Sequence, residues 1–169
     1  MLVAYLAAVA AAAYAPPLDP AASGQIQCYV PDTARKTCSS MAYYVARDDG
    51  SFDNRAIVLI NKAPAVTLET TVHVAIKDGA VCGSLRAEDI AAGKVAVGGR
   101  TMTPDEASPV LTSISQALTP VIGHEICTMF VPDASGKLSA QASMDGQRQP
   151  GQDQPVLWVA PSDGYTVAP

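Results

Sequence analysis

The four cysteines and two histidines carry the most direct chemistry this chain can offer. Cys28, Cys38, Cys82 and Cys127 are an even set, and none of them belongs to a C-x-x-C pair. Thioredoxin-like redox chemistry and zinc-ribbon sites depend on that close spacing, so neither reading applies. What remains is a disulfide framework, which an oxidising compartment would form and keep. Four cysteines allow three connectivities. Cys28–Cys38 with Cys82–Cys127 fits the surrounding sequence best. The first pair closes a short loop through Pro31-Asp32, and the second ties a hairpin to residues 123–133. Each bridge is expected to stabilise by about 2–4 kcal/mol, the longer loop by more.

His124-Glu125 is the nearest approach to a catalytic cluster. On a strand, adjacent residues point to opposite faces, so the two cannot act together without a bulge. Two histidines rule out a three-histidine metal centre. The chain has no nucleophile elbow, H-E-x-x-H pair, phosphate loop, dinucleotide fingerprint or EF-hand loop. The sequence therefore assigns no catalytic residue, no metal ligand and no cofactor. His73 lies on the polar side of an alternating strand with Glu69 and Thr71, opposite Ser84 of the following strand. Glu69, Thr71, His73 and Ser84 make a candidate contact surface. An uncharged helix face of Thr112, Ser113, Ser115, Gln116 and Thr119 is a second one.

The elements that position these residues begin after a leader. Residues 2–13 are an uninterrupted run of mostly small apolar side chains. That is short of the roughly 20 a membrane span needs and within the roughly 7–15 of a signal-peptide core. Ala13-Tyr14-Ala15 supplies an A-x-A cleavage pattern, and Ala11-Ala12-Ala13 supplies another. Residues 1–15 thus read as a signal peptide, 16–24 as a flexible lead-in and 25–169 as one domain. Export agrees with the cysteines. Cys28 follows Gln25-Ile26-Gln27, which is no lipid-acceptor context. A net charge of −5 with scattered basic residues disfavours nucleic acid and offers anionic membranes no polybasic patch.

Aromatics are only 5% of the chain, so Val, Ile, Leu and Ala must fill most of the core. Asp-Gly pairs at 49–50, 78–79, 145–146 and 163–164 mark turns between antiparallel strands. The first joins residues 41–47 to 55–60. Ala56-Ile57-Val58-Leu59-Ile60 is apolar on both faces, which predicts a central strand covered on both sides. The second follows the cleanest alternation, Val66, Leu68, Thr70, Val72, Val74 and Ile76 on one face. A two-residue turn there sets Ile76 opposite Val81, Val74 opposite Gly83, Val72 opposite Leu85 and Ala75 opposite Cys82. Cys82 then points off the core. A bond to Cys127 requires residues 123–133, read as a buried strand, to lie across that second face.

Ala107, Val110, Leu111, Ile114, Ala117, Leu118 and Val121 form one helical stripe. Two starts compete, the capping box Thr103-Pro104-Asp105-Glu106 and the later Ser108-Pro109. A proline inside a helix costs about 3 kcal/mol, which places the firm helix at 109–119. Residues 147–155 are polar, with two prolines and a glycine, and predict a loop. The expected fold is α+β: a mainly antiparallel β-sheet of hairpins with one three-turn α-helix packed on it and two disulfides. The expected function is an exported, periplasmic or secreted, non-enzymatic binding or structural module. Its partner would be a protein or small molecule, with no nucleic acid and no stable membrane insertion after signal cleavage. The rival is a small exported hydrolase using His73 or His124 as general base, which would lose activity by orders of magnitude without it.

Overall fold

The structure is a computed structural model that describes residues 14–169. Residues 1–13, the bulk of the expected signal peptide, lie outside the described residues. β1 (Ile26–Tyr29) leads through β2 (Thr37–Cys38) to β3 (Ser40–Ala46). β4 (Phe52–Lys62), β5 (Ala65–Lys77) and β6 (Ala80–Ser84) follow as successive hairpins. An insertion comes next, with α1 (Ala87–Ala91), β7 (Lys94–Val97), β8 (Arg100–Thr101) and α2 (Pro104–Ala117). The chain then returns as β9 (Glu125–Pro132), β10 (Leu138–Met144), β11 (Gln147–Arg148), β12 (Gln154–Val159) and β13 (Thr166–Val167).

Antiparallel pairing runs β1, β3, β4, β5, β6, β9, β10, β12, and β12 pairs back onto β1. The eight strands close into an up-and-down barrel, an arrangement that leaves none of these staves as a free edge. The antiparallel hairpins, the helix and both disulfides agree with the sequence reading. The sheet is a ring instead of an open layer. Alternation of period two is the same in both cases, and the closing contact joins Ile26 to Val159, far apart in the chain.

Register fixes which side chains enter the lumen. Gln27 and Tyr29, Tyr44, Asn54, Val72 and Val74, Val81 and Gly83 share the inner parity. Ile126, Thr128 and Phe130, Ala140 and Ala142, and Val156 and Trp158 complete the circuit. One end is packed shut. Leu18, Ala21, Tyr44, Phe52, Val74 and Val81 form a single buried cluster, with Tyr14, Phe130 and Trp158 packed against it. Residues 16–24 are therefore not a flexible lead-in. They hold a 3-10 turn over Asp19–Ser23 capped by Gly24 in the left-handed region, and Leu18 is fully buried. The Tyr14 hydroxyl adds hydrogen bonds to the Tyr44 carbonyl and from the Ala46 amide. An alanine- and proline-rich segment carries few hydrophobes of its own, and docking in the barrel mouth orders it.

Two satellite clusters lie elsewhere. Ile26, Cys28, Cys38, Met41 and Val159 pack on the outer wall, under Tyr165 and Val167 of the C-terminal segment. Leu68, Val95 and Ala107, with Val110, Leu111 and Ile114, seat α2 on the extension of the sheet made by β5 and β7.

Several local expectations change. α2 starts at Pro104 and keeps Pro109 inside it, not at the start. Thr103 accepts from the Glu106 amide, Glu106 accepts from the Thr103 amide, and burial of Ala107 anchors the first turn. Together these outweigh the hydrogen bond that Pro109 cannot make. β4 is central, but Val58 and Ile60 are exposed, because this end of the strand runs past the barrel. β9 is not buried either. Met129 and Val131 are exposed on the outer wall.

Cys82 does point off the core, as the two-residue Asp78-Gly79 turn dictates. No second layer is needed for its bond. β6 and β9 are neighbouring staves, and Cys82 sits directly opposite Cys127 on the outer face. The β5–β6 ladder ends at Val74 and Gly83, so Val72 and Leu85 do not pair. Asp145-Gly146 makes a true tight turn, and Gln147 and Arg148 pair with β10 before the loop begins. Asp163-Gly164 instead ends a 3-10 turn, and the strand after it pairs parallel with β2.

Candidate functional site

The end of the barrel opposite Leu18 contains free volume. A cavity of about 470 Å3 lies among Tyr29, Ser40, Leu85, Val121, Ile126 and Met144, with Gln149, Gln152 and Gln154 beside it. A smaller space of about 180 Å3 adjoins it, sharing Tyr29, Leu85, Ile126 and Thr128, and reaches Tyr44 and Asn54. The space follows from side-chain size. Inward positions near this end are Ser40, Gly83, Thr128, Ala140 and Ala142, too small to fill an eight-stranded interior. Gly83 has no room for more: a Cβ there would lie 2.8 Å from both the His73 carbonyl oxygen and Val74 Cγ1.

Among the described residues the wall of this space is uncharged, and its Tyr29 and Tyr44 cover a buried polar cluster that does not itself line the cavity. Gln27 is fully buried, and its Oε1 accepts from the hydroxyls of Tyr29 at 2.9 Å and Tyr44 at 2.8 Å. Two donors on one oxygen fix the orientation of the amide and leave Gln27 Nε2 as a donor without a partner. Asn54 Oδ1 is an acceptor without a partner. Burial pushes both phenols well above the ordinary tyrosine range, so both stay neutral donors and acceptors. Buried polar groups in native proteins are nearly always paired, so two orphans in one lumen call for an explanation.

The outer wall holds the residues singled out by sequence. Glu69, Thr71 and His73 share the outer face of β5, and Ser84 lies on the neighbouring β6 opposite Glu125. Arg55 bonds Glu69 at 3.1 Å, with Lys94 at 3.5 Å. His73 Nδ1 bonds Asp53 at 2.5 Å, and Arg47 reaches the same carboxylate at 3.0 Å. Partial desolvation raises the Asp53 carboxyl, but the Arg47 and His73 contacts outweigh it and hold it below its usual range. His124 is not joined to Glu125. It bonds Asp145 at 2.6 Å, while Glu125 makes an ion pair with Lys77. The His124 contact, helped by the Glu125 amide, also lowers the Asp145 carboxyl.

Each histidine thus has an aspartate that the sequence reading did not supply. Among the described residues, no hydroxyl bonds either imidazole, and no three His, Cys, Asp or Glu side chains gather as a metal set. The two histidines stand on separate parts of the surface with separate partners.

A longer groove of about 680 Å3 runs outside the barrel between α1, β7 and α2, past Thr112, Ser115 and Gln116. Three hydroxyls in and just after α2 are turned back onto the helix backbone. Thr112, Ser113 and Thr119 donate to the carbonyls of Ser108, Pro109 and Ser115. The groove also has no buried unpaired polar atom among its lining residues. The lumen, although smaller, is the better candidate because a buried unpaired oxygen, Asn54 Oδ1, stands on its wall.

Sequence reading missed Gln27 and Asn54. A signal existed for Asn54. Phe52, Asn54, Ala56 and Val58 share one face, while Asp53 and Arg55 mark the other as solvent-facing, so Asn54 is a polar residue on an apolar face. Comparison with protein-family models, with curated proteins and with solved structures finds no match for this chain.

Proposed function

We propose that this protein is an exported, non-enzymatic binding module that holds a small ligand in the open end of its barrel. The observation that carries the reading is the lumen itself: one end plugged by Leu18, the other free over about 470 Å3. Concave, mostly apolar spaces of roughly 300–1,000 Å3 with a few convergent polar groups are the usual form of small-molecule sites. The test uses N-phenyl-1-naphthylamine, an uncharged fluorescent probe. Saturable binding with one site per chain is expected. Ala142→Phe, which puts a ring into the lumen, should weaken it at least ten-fold with the melting temperature preserved. His73→Ala and His124→Ala should leave it unchanged, whereas the hydrolase reading requires one of them for activity. No saturable binding, or binding indifferent to Ala142→Phe, would overturn the lumen reading.

Export is supported by the apolar run over residues 2–13 and by two disulfides, which persist in oxidising compartments. Within this reading, a cleavage site after Ala13 suits the barrel better than one after Ala15. Cleavage after Ala15 would discard Tyr14, whose ring packs 5.3 Å from Phe52 and whose hydroxyl bonds the β3 backbone. Cleavage after Ala13 keeps it. N-terminal sequencing of the exported protein is expected to read Tyr14 first, and a first residue of Pro16 would refute this assignment.

A further inference from the structure

The lumen's chemistry narrows the kind of ligand it takes. We infer that the occupant is an uncharged molecule with an apolar body and one neutral head, an alcohol or a primary amide, that donates a hydrogen bond. The inference rests on the proposal that the lumen is a binding site.

Three observations carry it. The first is electrostatic. Both parts of the cavity are lined without a single Asp, Glu, Lys, Arg or His, while the charged pairs of β4 and β5 all face outward. An ionised head entering here would lose its water with no counter-charge to meet it, which is strongly unfavourable. The second is an unmet polar group. Asn54 stands on the wall of the smaller part, and its Oδ1 is an acceptor without a partner among the described residues. A hydroxyl or a primary amide supplies a donor in one small neutral group, and so is complementary to that oxygen. The third is the remaining wall. Val72, Leu85, Val121, Ile126 and Met144 give apolar surface to a hydrocarbon body, beside the neutral polar side chains of Ser40, Thr128, Ser143 and Gln154.

The cluster is also held ready. Gln27 is fixed by two phenol hydroxyls. Tyr29 lines both parts of the cavity, so its ring couples the buried amide to the open space. The Tyr29 ring is therefore already held in place when the cavity is filled, which lowers the ordering cost of binding.

The experiment compares four probes with a common eight-carbon body: octan-1-ol, octanamide, octanoate and octylammonium. Each displaces N-phenyl-1-naphthylamine at neutral pH, with calorimetry as a check. Octan-1-ol and octanamide are expected to bind at least ten-fold tighter than both charged probes. Asn54→Leu should cost the two neutral probes about ten-fold while the naphthylamine still binds. Asn54→Asp should gain about ten-fold for octylammonium, a change in the opposite direction that misfolding cannot produce. If the naphthylamine binds and all four probes displace it alike, or the charged ones displace it better, the ligand class is wrong and the lumen reading survives. If neither the naphthylamine nor any probe binds, the lumen reading itself fails.

Discussion

Replacing the Cys82–Cys127 bridge with a pair of alanines is expected to lower the unfolding free energy by about 4 kcal/mol, against about 2.7 kcal/mol for Cys28–Cys38. The difference comes from loop length, a sequence separation of 45 against one of 10. The longer loop contains the whole insertion, α1, β7, β8 and α2, so reduction releases far more conformational freedom in the unfolded chain. The native side points the same way. β6 is a short stave held by four register pairs to β5 and four to β9. The seam between β6 and β9 is where the barrel must close over the insertion. Single-domain proteins are stable by about 5–15 kcal/mol, so this one change removes a large share of the total. Urea unfolding of Cys82→Ala/Cys127→Ala and Cys28→Ala/Cys38→Ala measures both. A loss below about 1 kcal/mol at the β6–β9 seam, or a larger loss from the short loop, would sink the argument.

Both pairings were legible from the cysteine count and spacing, and the direction of Cys82 from local facts alone. The alternation over residues 66–76 and the Asp78-Gly79 turn set Cys82 opposite Ala75, and the structure keeps that register. What sequence could not supply is the second neighbour of each stave. That β9 rather than another strand lies beside β6 depends on how the insertion folds back, and no periodicity records it. Barrel closure is of the same kind: β1 and β12 are the first and last staves, and each reads like any half-exposed strand.

The lumen was hidden for a more specific reason. In Ile26-Gln27-Cys28-Tyr29 the apolar residues Ile26 and Cys28 face outward and Gln27 faces inward. The usual rule would put Gln27 in water. The inversion is possible because the C-terminal segment, through Tyr165 and Val167, covers the outer wall there and buries Ile26 and Cys28 against Met41 and Val159. A strand buried on both faces carries no clean alternation. So the polar residue buried behind the wall of the candidate site is inconspicuous in the sequence because of a tail more than a hundred residues away. Leu18 is a parallel case. A lone leucine between prolines and alanines reads as linker, and only a barrel mouth of matching size makes it core.

Leu18→Ala is accordingly expected to destabilise the protein by about 3 kcal/mol, within the range of about 2–5 kcal/mol for buried leucines. Leu18 is fully buried, at the centre of the cluster formed with Tyr44, Phe52, Val74 and Val81. Two terms add. The side chain loses its transfer free energy, and the space it leaves cannot collapse, because the surrounding strands are hydrogen-bonded into a ring and cannot move inward independently. A linker residue would behave otherwise. Exposed Ala22, four residues on in the same segment, is the internal control: Ala22→Ser should change stability by less than about 0.5 kcal/mol. Denaturant unfolding of the two variants separates the readings, with an unchanged slope showing that the same surface is exposed on unfolding. If Leu18→Ala and Ala22→Ser have equal small effects, the segment from Tyr14 to Gly24 does not plug the barrel. The lumen would then be open at both ends, a channel with no floor, and the case for a single-mouthed binding cup would fail with it.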